Sequence, residues 1–229
     1  RSIAGVSFKA YRGQTIGIIG GTGSGKSSLV GLIPRFYDAT EGEVLIDGVN
    51  VKDIKLEELR DKVGIVMQKA VLFKGSIRNN MQVAKQDATD GEIDEALAIA
   101  QAKEFVDKKA GRLDYMIEQG GKNLSGGQRQ RLTIARAVVK KPDVLILDDS
   151  ASALDFATDA ALRKSIRTMP NNPTVFIVSQ RSASLMHADK IIVLDDGNVA
   201  GIGTHSELLA NCEVYREIYN SQFKSAKGA

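Results

Sequence analysis

A chain of 229 residues, 43% of them hydrophobic, can bury one sizeable core but is short for two independent domains. Its 31 Lys and Arg against 28 Asp and Glu leave a net charge of +3, too balanced for electrostatics alone to indicate nucleic-acid binding. The single cysteine, Cys212, excludes an intrachain disulfide, and no apolar run approaches the roughly 18 residues of a membrane helix.

The chain begins with strand patterns on either side of a glycine-rich loop. Residues 6–10 and 43–47, with turns such as Asp47-Gly48, predict an antiparallel layer. Between them, residues 15–19 form an apolar run of strand length, and residues 28–33 have the pattern of a helix. A strand, a loop and a helix in this order are the context that a phosphate-binding loop requires.

That loop fits the pattern G-x-x-x-x-G-K-[ST]. Its residues, with the one that follows, are Gly20, Gly21, Thr22, Gly23, Ser24, Gly25, Lys26, Ser27 and Ser28. Backbone N–H groups in such a turn converge on a triphosphate without side-chain bulk. Lys26 would reach the β- and γ-phosphates as a point charge, and Ser27 would place its hydroxyl on Mg²⁺. The motif therefore predicts a site for ATP and magnesium.

The middle of the chain, from about residue 71 to residue 141, has a helical pattern. Thr89 and Glu92 have the spacing of a capping box, and apolar residues on one face predict a helix from Asp90 to about Ala102. After Pro142, apolar runs of strand length return. These later elements are predicted as strands over 144–147, 175–178 and 191–194, a helix over 158–168, a hairpin turn over 196–198 and a helix over 206–220.

These patterns together predict an α/β fold of the P-loop NTPase type. It has a mixed, mostly parallel sheet core, an N-terminal antiparallel β layer and an inserted helical lobe. We expect a single domain over residues 1–229, in which about 1–70 and 142–229 form the α/β core and about 71–141 form the lobe.

Two further motifs bear on the nucleotide. Asp148 closes the run over 144–147, and a carboxylate at the carboxyl end of a central strand would hold Mg²⁺ directly or through water. The other motif consists of Leu124, Ser125, Gly126, Gly127 and Gln128. It opens a helix, so its unpaired N–H groups suit a γ-phosphate, although an ordinary helix cap would have the same residues.

The segment over 124–137 resembles the signature motif and following helix of ATP-binding cassette (ABC) proteins. Shorter segments at 35–37, 42–48, 68–73 and 152–155 also look like the nucleotide-binding domains of ABC exporters, so the resemblance covers essentially the whole chain. It implies that Gln68 is the Q-loop glutamine, with a catalytic and metal-binding role. It also implies that Asp155, in the D-loop, belongs to the nucleotide site.

The resemblance further implies partners. In this family two nucleotide-binding domains meet head to tail, and each ATP lies between the phosphate loop of one and the signature motif of the other. We expect the motor domain of a membrane exporter, at the cytoplasmic face of the cell membrane, with transmembrane helices encoded upstream in the same chain. This fragment itself should be soluble, its segment over 68–80 should receive the coupling helix of the membrane part, and no nucleic acid is expected as a partner.

Two residues depart from the family pattern. The glutamate that polarises the attacking water is replaced by Asp149, which is one methylene shorter, and the histidine that contacts the γ-phosphate is replaced by Gln180. We therefore expect that this chain's own site binds ATP but hydrolyses it slowly, while its intact signature motif completes the site of a heterodimeric partner. The alternative, that Asp149 and Gln180 suffice for hydrolysis, stays open at this point.

The aromatic residue that stacks on adenine in this family lies upstream of what is position 1 here, so the sequence looks like a fragment that begins after it. Two other functions stay open on the sequence alone. One is a soluble ABC ATPase that acts on nucleic acid or ribosomes, against which the near-neutral charge argues. The other is an ATP-gated binding module without catalysis.

Overall fold

The computed structural model describes residues 3–150 and 153–224, with side chains up to Gln222. Its strands are β1 (Thr15–Gly20), β2 (Leu45–Ile46), β3 (Val49–Asn50), β4 (Val63–Val66), β5 (Gly75–Ser76), β6 (Met116–Ile117), β7 (Val144–Asp148), β8 (Thr174–Val178), β9 (Lys190–Asp195) and β10 (Asn198–Gly203). Its α-helices are α1 (Lys26–Gly31), α2 (Leu56–Lys62), α3 (Ile77–Gln82), α4 (Asp90–Ile99), α5 (Lys103–Asp107), α6 (Gly126–Val138), α7 (Phe156–Arg167), α8 (His205–Asn211) and α9 (Glu213–Lys224). The chain forms two compact units: the first unit is Arg1–Val63 with Thr174–Ala229, and the second unit is Gly64–Pro173.

The first unit contains strands in the order β10-β9-β1-β8. β1 is parallel to both of its neighbours, with Ile18 paired to Val178 and Gly20 paired to Leu194, whereas β10 is antiparallel to β9. All six residues of β1 are buried, as expected for a parallel strand that is covered on both faces. Because β1 and β8 are parallel neighbours, the loops that follow them leave the same edge of the sheet.

Most sequence predictions for the first unit are confirmed. Strands occur over 15–19, 175–178 and 191–194 as predicted. The predicted hairpin turn between β9 and β10 has left-handed backbone at Asp196 (φ 43°) and Gly197 (φ 78°), the conformation that tight two-residue hairpins favour. The α/β fold with a mostly parallel sheet is therefore as the sequence predicts.

The strand predicted over residues 6–10 is wrong. This segment lacks a strand ladder, and Gly5 upstream of it adopts a left-handed backbone (φ 64°). It is held instead by an edge-on contact between the rings of Phe8 and Phe176, whose centroids are 6.2 Å apart. The antiparallel pairs in the described part of the first unit are the short hairpin of β2 and β3 and the pair of β9 and β10.

Several predicted helices have different bounds: α4 ends at Ile99 and not at about Ala102, and α7 covers Phe156–Arg167 and not 158–168. α1 begins at Lys26, two residues before the predicted start, because Gly25 (φ 95°) already turns the chain into the helix. The helix predicted over 206–220 is two helices, since Cys212 has extended backbone (φ −120°, ψ 110°) and separates α8 from α9.

The second unit is organised around α6. One face of this 13-residue helix is buried, and α6 contacts α3 and α4. A Cβ at Gly64 of β4 would lie 2.7 Å from the carbonyl oxygen of Ala137, so glycine lets that strand approach the helix closely. The predicted capping box is confirmed, since Thr89 and Glu92 cap each other's N–H groups and α4 begins at Asp90.

Arginine side chains join the loops of the second unit. Arg78 on α3 binds Asp90 at the start of α4, and its Nε donates to Asp114 Oδ1 at 3.0 Å. Arg112 pairs with Asp94 at 2.6 Å and, in addition, with a carboxylate of α5 at 2.8 Å. Across residues 3–150 and 153–224, none of the helices combines the length and the apolar character needed to cross a bilayer.

Candidate functional site

The phosphate loop joins β1 to α1 and depends on glycine at three positions. A Cβ at Gly20 would lie 2.2 Å from the carbonyl oxygen of Leu194 and 2.6 Å from Ser24 Oγ, distances that no side chain tolerates. Gly23 (φ 82°) and Gly25 (φ 95°) have left-handed backbone, which glycine adopts without steric cost. The conformation of the loop therefore requires glycine at these three positions.

Lys26 lies folded across this loop. Its side chain is buried, and its Nζ donates hydrogen bonds to the carbonyl oxygens of Gly20 at 2.8 Å and Gly21 at 2.6 Å. Thr22 and Ser27 are exposed beside the buried ammonium. A positive charge held by two backbone carbonyl oxygens, with an exposed hydroxyl at the next residue, suits the phosphate oxygens of a nucleotide.

The start of α1 adds backbone donors. Among the residues that the structure describes, no side chain caps this helix at Gly25. N–H groups in a first helical turn need acceptors, and an anion is the acceptor that a phosphate loop ordinarily brings to them. Ser28, also predicted at the site, is half-buried in this first turn.

Gln180 lies in the loop that leaves β8, next to the strand that carries the phosphate loop. Ser179 N donates to the carbonyl oxygen of Ile18 at 3.1 Å, which extends the pairing of β1 and β8 to the end of both strands. The Gln180 side chain is exposed. The first unit therefore brings Gln180 to the edge of the sheet from which the phosphate loop emerges.

The carboxylates predicted at the site follow β7 in the second unit. Asp148 is buried at the strand's end. Asp149, the next residue, has a left-handed backbone (φ 45°), which aspartate tolerates better than most residues. Gln68 Nε2 donates to Asp149 Oδ2 at 3.4 Å, so the predicted Q-loop glutamine and the predicted polarising carboxylate are neighbours.

The signature residues form the amino-terminal end of α6. Ser125 Oγ accepts from Gln128 N at 3.2 Å, and Gln128 Oε1 accepts from Ser125 N at 3.1 Å, a reciprocal capping box. Ser125 and Gly126 are exposed, and Gly127 is half-buried. The helix cap and an exposed N-terminal turn therefore occur together, so the two interpretations of this motif are compatible.

Arg129 binds the backbone that leads into the signature helix. Its Nη1 donates to the carbonyl oxygens of Leu124 at 2.6 Å and Gly121 at 3.2 Å. The carbonyl groups just before the cap are thereby fixed. Sequence reasoning missed this role because the bonds reach backbone atoms five and eight positions away, which no side-chain pattern reveals.

Asp155 is the N-cap of α7. Its Oδ1 accepts from Thr158 N at 2.9 Å and its Oδ2 accepts from Thr158 Oγ1 at 2.8 Å. The Thr158 N–H holds the pKa of the Asp155 carboxyl below its ordinary value. Gly127 lies against the same segment, since a Cβ there would be 3.2 Å from the carbonyl oxygen of Ala153. Ser152, the first residue of the predicted D-loop, lies outside the described residues.

The two histidines of the chain do not take the place of the missing one. His205 Nδ1 lies 2.8 Å from the hydroxyl of Tyr215, and burial lowers the pKa of His205. His187 is exposed within the segment between β8 and β9. Neither histidine is at the position that follows Ser179 at the edge of the sheet, and Gln180 is the residue there.

A buried parallel strand, a glycine loop that encloses a lysine, and a helix define a nucleotide-binding protein of the phosphate-loop class. Residues 3–152 match the ABC transporter family model, and the chain belongs to that family. The predicted membership is confirmed, and the chain is an ATP-binding domain of the kind that hydrolyses ATP.

Several relatives share this domain. The chain is 45% identical over 222 residues to the ABC transporter ATP-binding protein YfiB of Bacillus subtilis, and 40% identical over 219 residues to the ATP-dependent lipid A-core flippase of Haemophilus ducreyi. These matches cover 97% and 95% of this chain but 38% of each relative. A solved bacterial Atm1-family ABC exporter with ATP bound matches with a TM-score of 0.91 at 34% identity, over 96% of this chain and 39% of that one. The chain thus spans less than half the length of these proteins.

Proposed function

We propose that this domain binds Mg-ATP and, by ATP-dependent dimerisation with a second nucleotide-binding domain, powers the export of a substrate across a membrane. The observation that carries the proposal is the Lys26 ammonium, which lies 2.8 Å and 2.6 Å from the carbonyl oxygens of Gly20 and Gly21 inside the phosphate loop. The residues proposed to cradle the phosphates are Gly20, Gly21, Thr22, Gly23, Ser24, Gly25, Lys26, Ser27 and Ser28.

Magnesium fits the oxygen donors that each unit supplies. The first unit offers the exposed Ser27 hydroxyl, and the second offers the Asp148 carboxylate and the Gln68 side-chain oxygen. No group of three or more His, Cys, Asp or Glu residues in the described part of the chain could hold a metal ion by itself. Mg²⁺ is usually bound through one or two carboxylates together with substrate phosphates, and each unit by itself offers oxygen donors of the kind that this ion prefers. When bound, the ion would neutralise charge on those phosphates.

The domain's own site is proposed to hydrolyse ATP slowly. Asp149 has one methylene fewer than glutamate, and hydrogen-bond reach to the attacking water controls general-base catalysis. Gln180 can donate a hydrogen bond to a γ-phosphate but cannot become a cation. The 3.4 Å contact between Gln68 and Asp149 further occupies one carboxylate oxygen. The same groups could still hold ATP in place.

The exposed turn of Ser125, Gly126 and Gly127 is proposed to complete the nucleotide site of a partner domain. Its N–H groups open a 13-residue helix, so they carry the positive end of the helix dipole and suit a γ-phosphate. Gln128 and Asp155 would support this surface by capping α6 and α7. A chain that combines an intact signature motif with a weak phosphate-loop site favours a heterodimer, in which this chain is the degenerate-site subunit and the partner carries the usual glutamate and histidine.

The membrane part is proposed to lie outside this segment, in the same full-length chain. The relatives are more than twice as long as the matched region, and one is named a flippase. The domain would then act at the cytoplasmic face of the cell membrane, with the lobe over 71–141 carrying the signature. The proposed substrate is recognised by the membrane part, and no nucleic acid is involved.

The experiment is ATP turnover by the full-length chain, alone and mixed with its partner half. We expect slow turnover alone and at least tenfold faster turnover after mixing, because the partner's site then contains this chain's signature motif. Brisk turnover by the chain alone that is lost in Asp149→Asn would refute the weak-site proposal, because Asp149 would then suffice for hydrolysis. Failure of the full-length chain to bind Mg-ATP would refute the proposed function as a whole.

A further inference from the structure

The side-chain amide of Gln222, on α9, holds the loop that carries Gln180. Gln222 Nε2 donates to the main-chain carbonyl oxygen of Gln180 at 2.7 Å. Its Oε1 accepts from Ser182 N at 2.8 Å and from Ser182 Oγ at 2.9 Å. One carboxamide therefore binds the backbone on both sides of Arg181.

This arrangement needs both ends of an amide. The acceptor end satisfies two donors of Ser182, whose side chain is fully buried and has lost access to water. The donor end satisfies a carbonyl oxygen at the residue that follows β8 and Ser179. A carboxylate in place of the amide could do the first of these but not the second.

The other side of the loop is fixed independently. Ser179 N is bonded to Ile18 O at 3.1 Å, and Ser179 Oγ accepts from Arg181 N at 3.0 Å. With its carbonyl group held by Gln222, the backbone of Gln180 is anchored before and after its Cα. The exposed Gln180 side chain consequently starts from a defined point next to the phosphate-loop strand, and its χ angles supply its remaining freedom.

We propose that Gln222 is a positioning residue that aims the Gln180 side chain at the γ-phosphate of bound ATP. The inference rests on the proposed function, in which Gln180 takes the γ-phosphate position. The helix α9 thereby acquires a role in the nucleotide site, because a shift of this helix would move the Gln180 carbonyl group to which Gln222 donates. The consequence is a preference of this site for ATP over ADP that depends on Gln222, since ADP lacks the phosphate that Gln180 would contact.

The test uses the full-length transporter with its partner. This polypeptide is photolabelled with 8-azido-ATP in the presence of Mg²⁺, and the label on its own band is competed with ATP or with ADP. The ratio of the two competition constants reports γ-phosphate recognition at this chain's site. The variants are Gln222→Glu, Gln180→Ala and the two combined, with Asn220→Ala, an exposed residue of the same helix, as the matched control.

We expect Gln222→Glu to lower the preference for ATP over ADP by about fivefold, with competition by ADP unchanged. The reason is that the proposed hydrogen bond from the Gln180 side chain to the charged γ-phosphate is weakened. Gln180→Ala should lower the preference by a similar factor, and the double variant should be no worse than Gln180→Ala. Asn220→Ala should match the unmodified protein. Melting temperature should change little in Gln222→Glu, since glutamate keeps the acceptor for Ser182.

Three outcomes would overturn the inference. If Gln180→Ala lowers the preference but Gln222→Glu does not, Gln222 does not position Gln180, and the proposed function stands. If Gln222→Glu weakens competition by ATP and competition by ADP equally, its effect is structural or purely electrostatic. The same conclusion follows if Gln222→Glu further weakens competition by ATP when it is added to Gln180→Ala. If Gln180→Ala itself leaves the preference unchanged, the γ-phosphate role assigned to Gln180 fails, and the inference fails with it.

Discussion

Gln68 and Asp149 are 81 positions apart in sequence and are joined by a hydrogen bond of 3.4 Å from Nε2 to Oδ2. The distance is at the long end for such a bond, so the contact is weak. The family resemblance singled out these two residues separately, Gln68 as the Q-loop glutamine and Asp149 as the replacement of the usual glutamate, and they lie together in the second unit. A carboxylate that is one methylene longer would extend further from the same backbone position.

Asp149→Glu combined with Gln180→His should raise ATP turnover at this chain's own site by at least about tenfold, because misplacement by about 1 Å can cost a hundredfold in rate. The gain comes from restored reach to the attacking water and from a side chain that can become a cation. Turnover would be measured in the full-length transporter with its partner. An unchanged rate would contradict the roles assigned to both residues.

The backbone at Asp149 should make that substitution costly for stability. Its φ of 45° lies in the left-handed region, where aspartate is favoured over longer side chains. We expect Asp149→Glu to destabilise the domain by about 1 kcal/mol and Asp149→Asn to leave stability nearly unchanged. Differential scanning calorimetry of both variants checks this, and equal melting temperatures for both would show that the left-handed backbone imposes no such preference.

The local parts of the fold could be predicted because their determinants are local. Periodicity and glycine spacing located β1, β7, β8 and the phosphate loop, and the Thr89 capping box located the start of α4. The failures have physical causes. Apolar and polar side chains alternate over residues 6–10 as they do in a strand. A strand, however, forms only where a neighbouring strand pairs with it, and the local sequence does not show whether one is available.

The site was predictable only as far as its motifs reach. The loop glycines and Lys26 are contiguous, so their pattern carries their geometry. Gln222 binds Gln180 and Ser182 from a helix that is 42 and 40 positions away, and such a contact has no spacing rule. The long-range braces of the site therefore required the tertiary structure.

Lys26→Ala should abolish most nucleotide binding. The substitution removes the buried ammonium that donates to Gly20 and Gly21, the group proposed to bind phosphate oxygens. We expect the affinity for Mg-ATP to fall by more than about tenfold, since a charge-assisted bond is lost. Isothermal titration on the full-length protein measures this. Lys55→Ala, at an exposed lysine of the same unit, is the control and should bind as before.

Glu92 should make the stability of the second unit depend on pH in the acid range. The ammonium of Lys85, followed by the Thr89 N–H, lowers the pKa of Glu92 from 4.5 to about 2. The folded pKa lies below the unfolded value, so the stabilisation is fully present above pH 4.5 and is lost as pH falls toward 2. The melting temperature of Glu92→Gln should therefore fall below that of the unmodified domain at pH 6, and the gap should narrow by pH 3.

The exposed Glu43 provides the control for that experiment. Glu43→Gln should track the unmodified domain at both pH values because its side chain lies outside the Lys85 and Thr89 cluster. A gap for Glu92→Gln that stays constant from pH 6 to pH 3 would show that ionisation of Glu92 does not stabilise the fold.

Gly126 and Gly127 should separate the folding role of the signature motif from its proposed role in nucleotide binding. A Cβ at Gly126 would meet its nearest neighbour, Arg129 Nη2, at 3.9 Å, which is ordinary contact, whereas a Cβ at Gly127 would lie 3.2 Å from Ala153 O. Gly126→Ala should therefore fold with an unchanged or slightly raised melting temperature, because alanine favours the helix. Gly127→Ala should lower the melting temperature, since the backbone around Ala153 must move.

If the exposed turn docks on a partner's γ-phosphate, Gly126→Ala should nevertheless reduce ATP turnover of the mixed transporter by about tenfold. The added methyl group would lie where the phosphate must approach the N–H groups. A Gly126→Ala transporter with full turnover and normal stability would show that this turn does not contact the nucleotide.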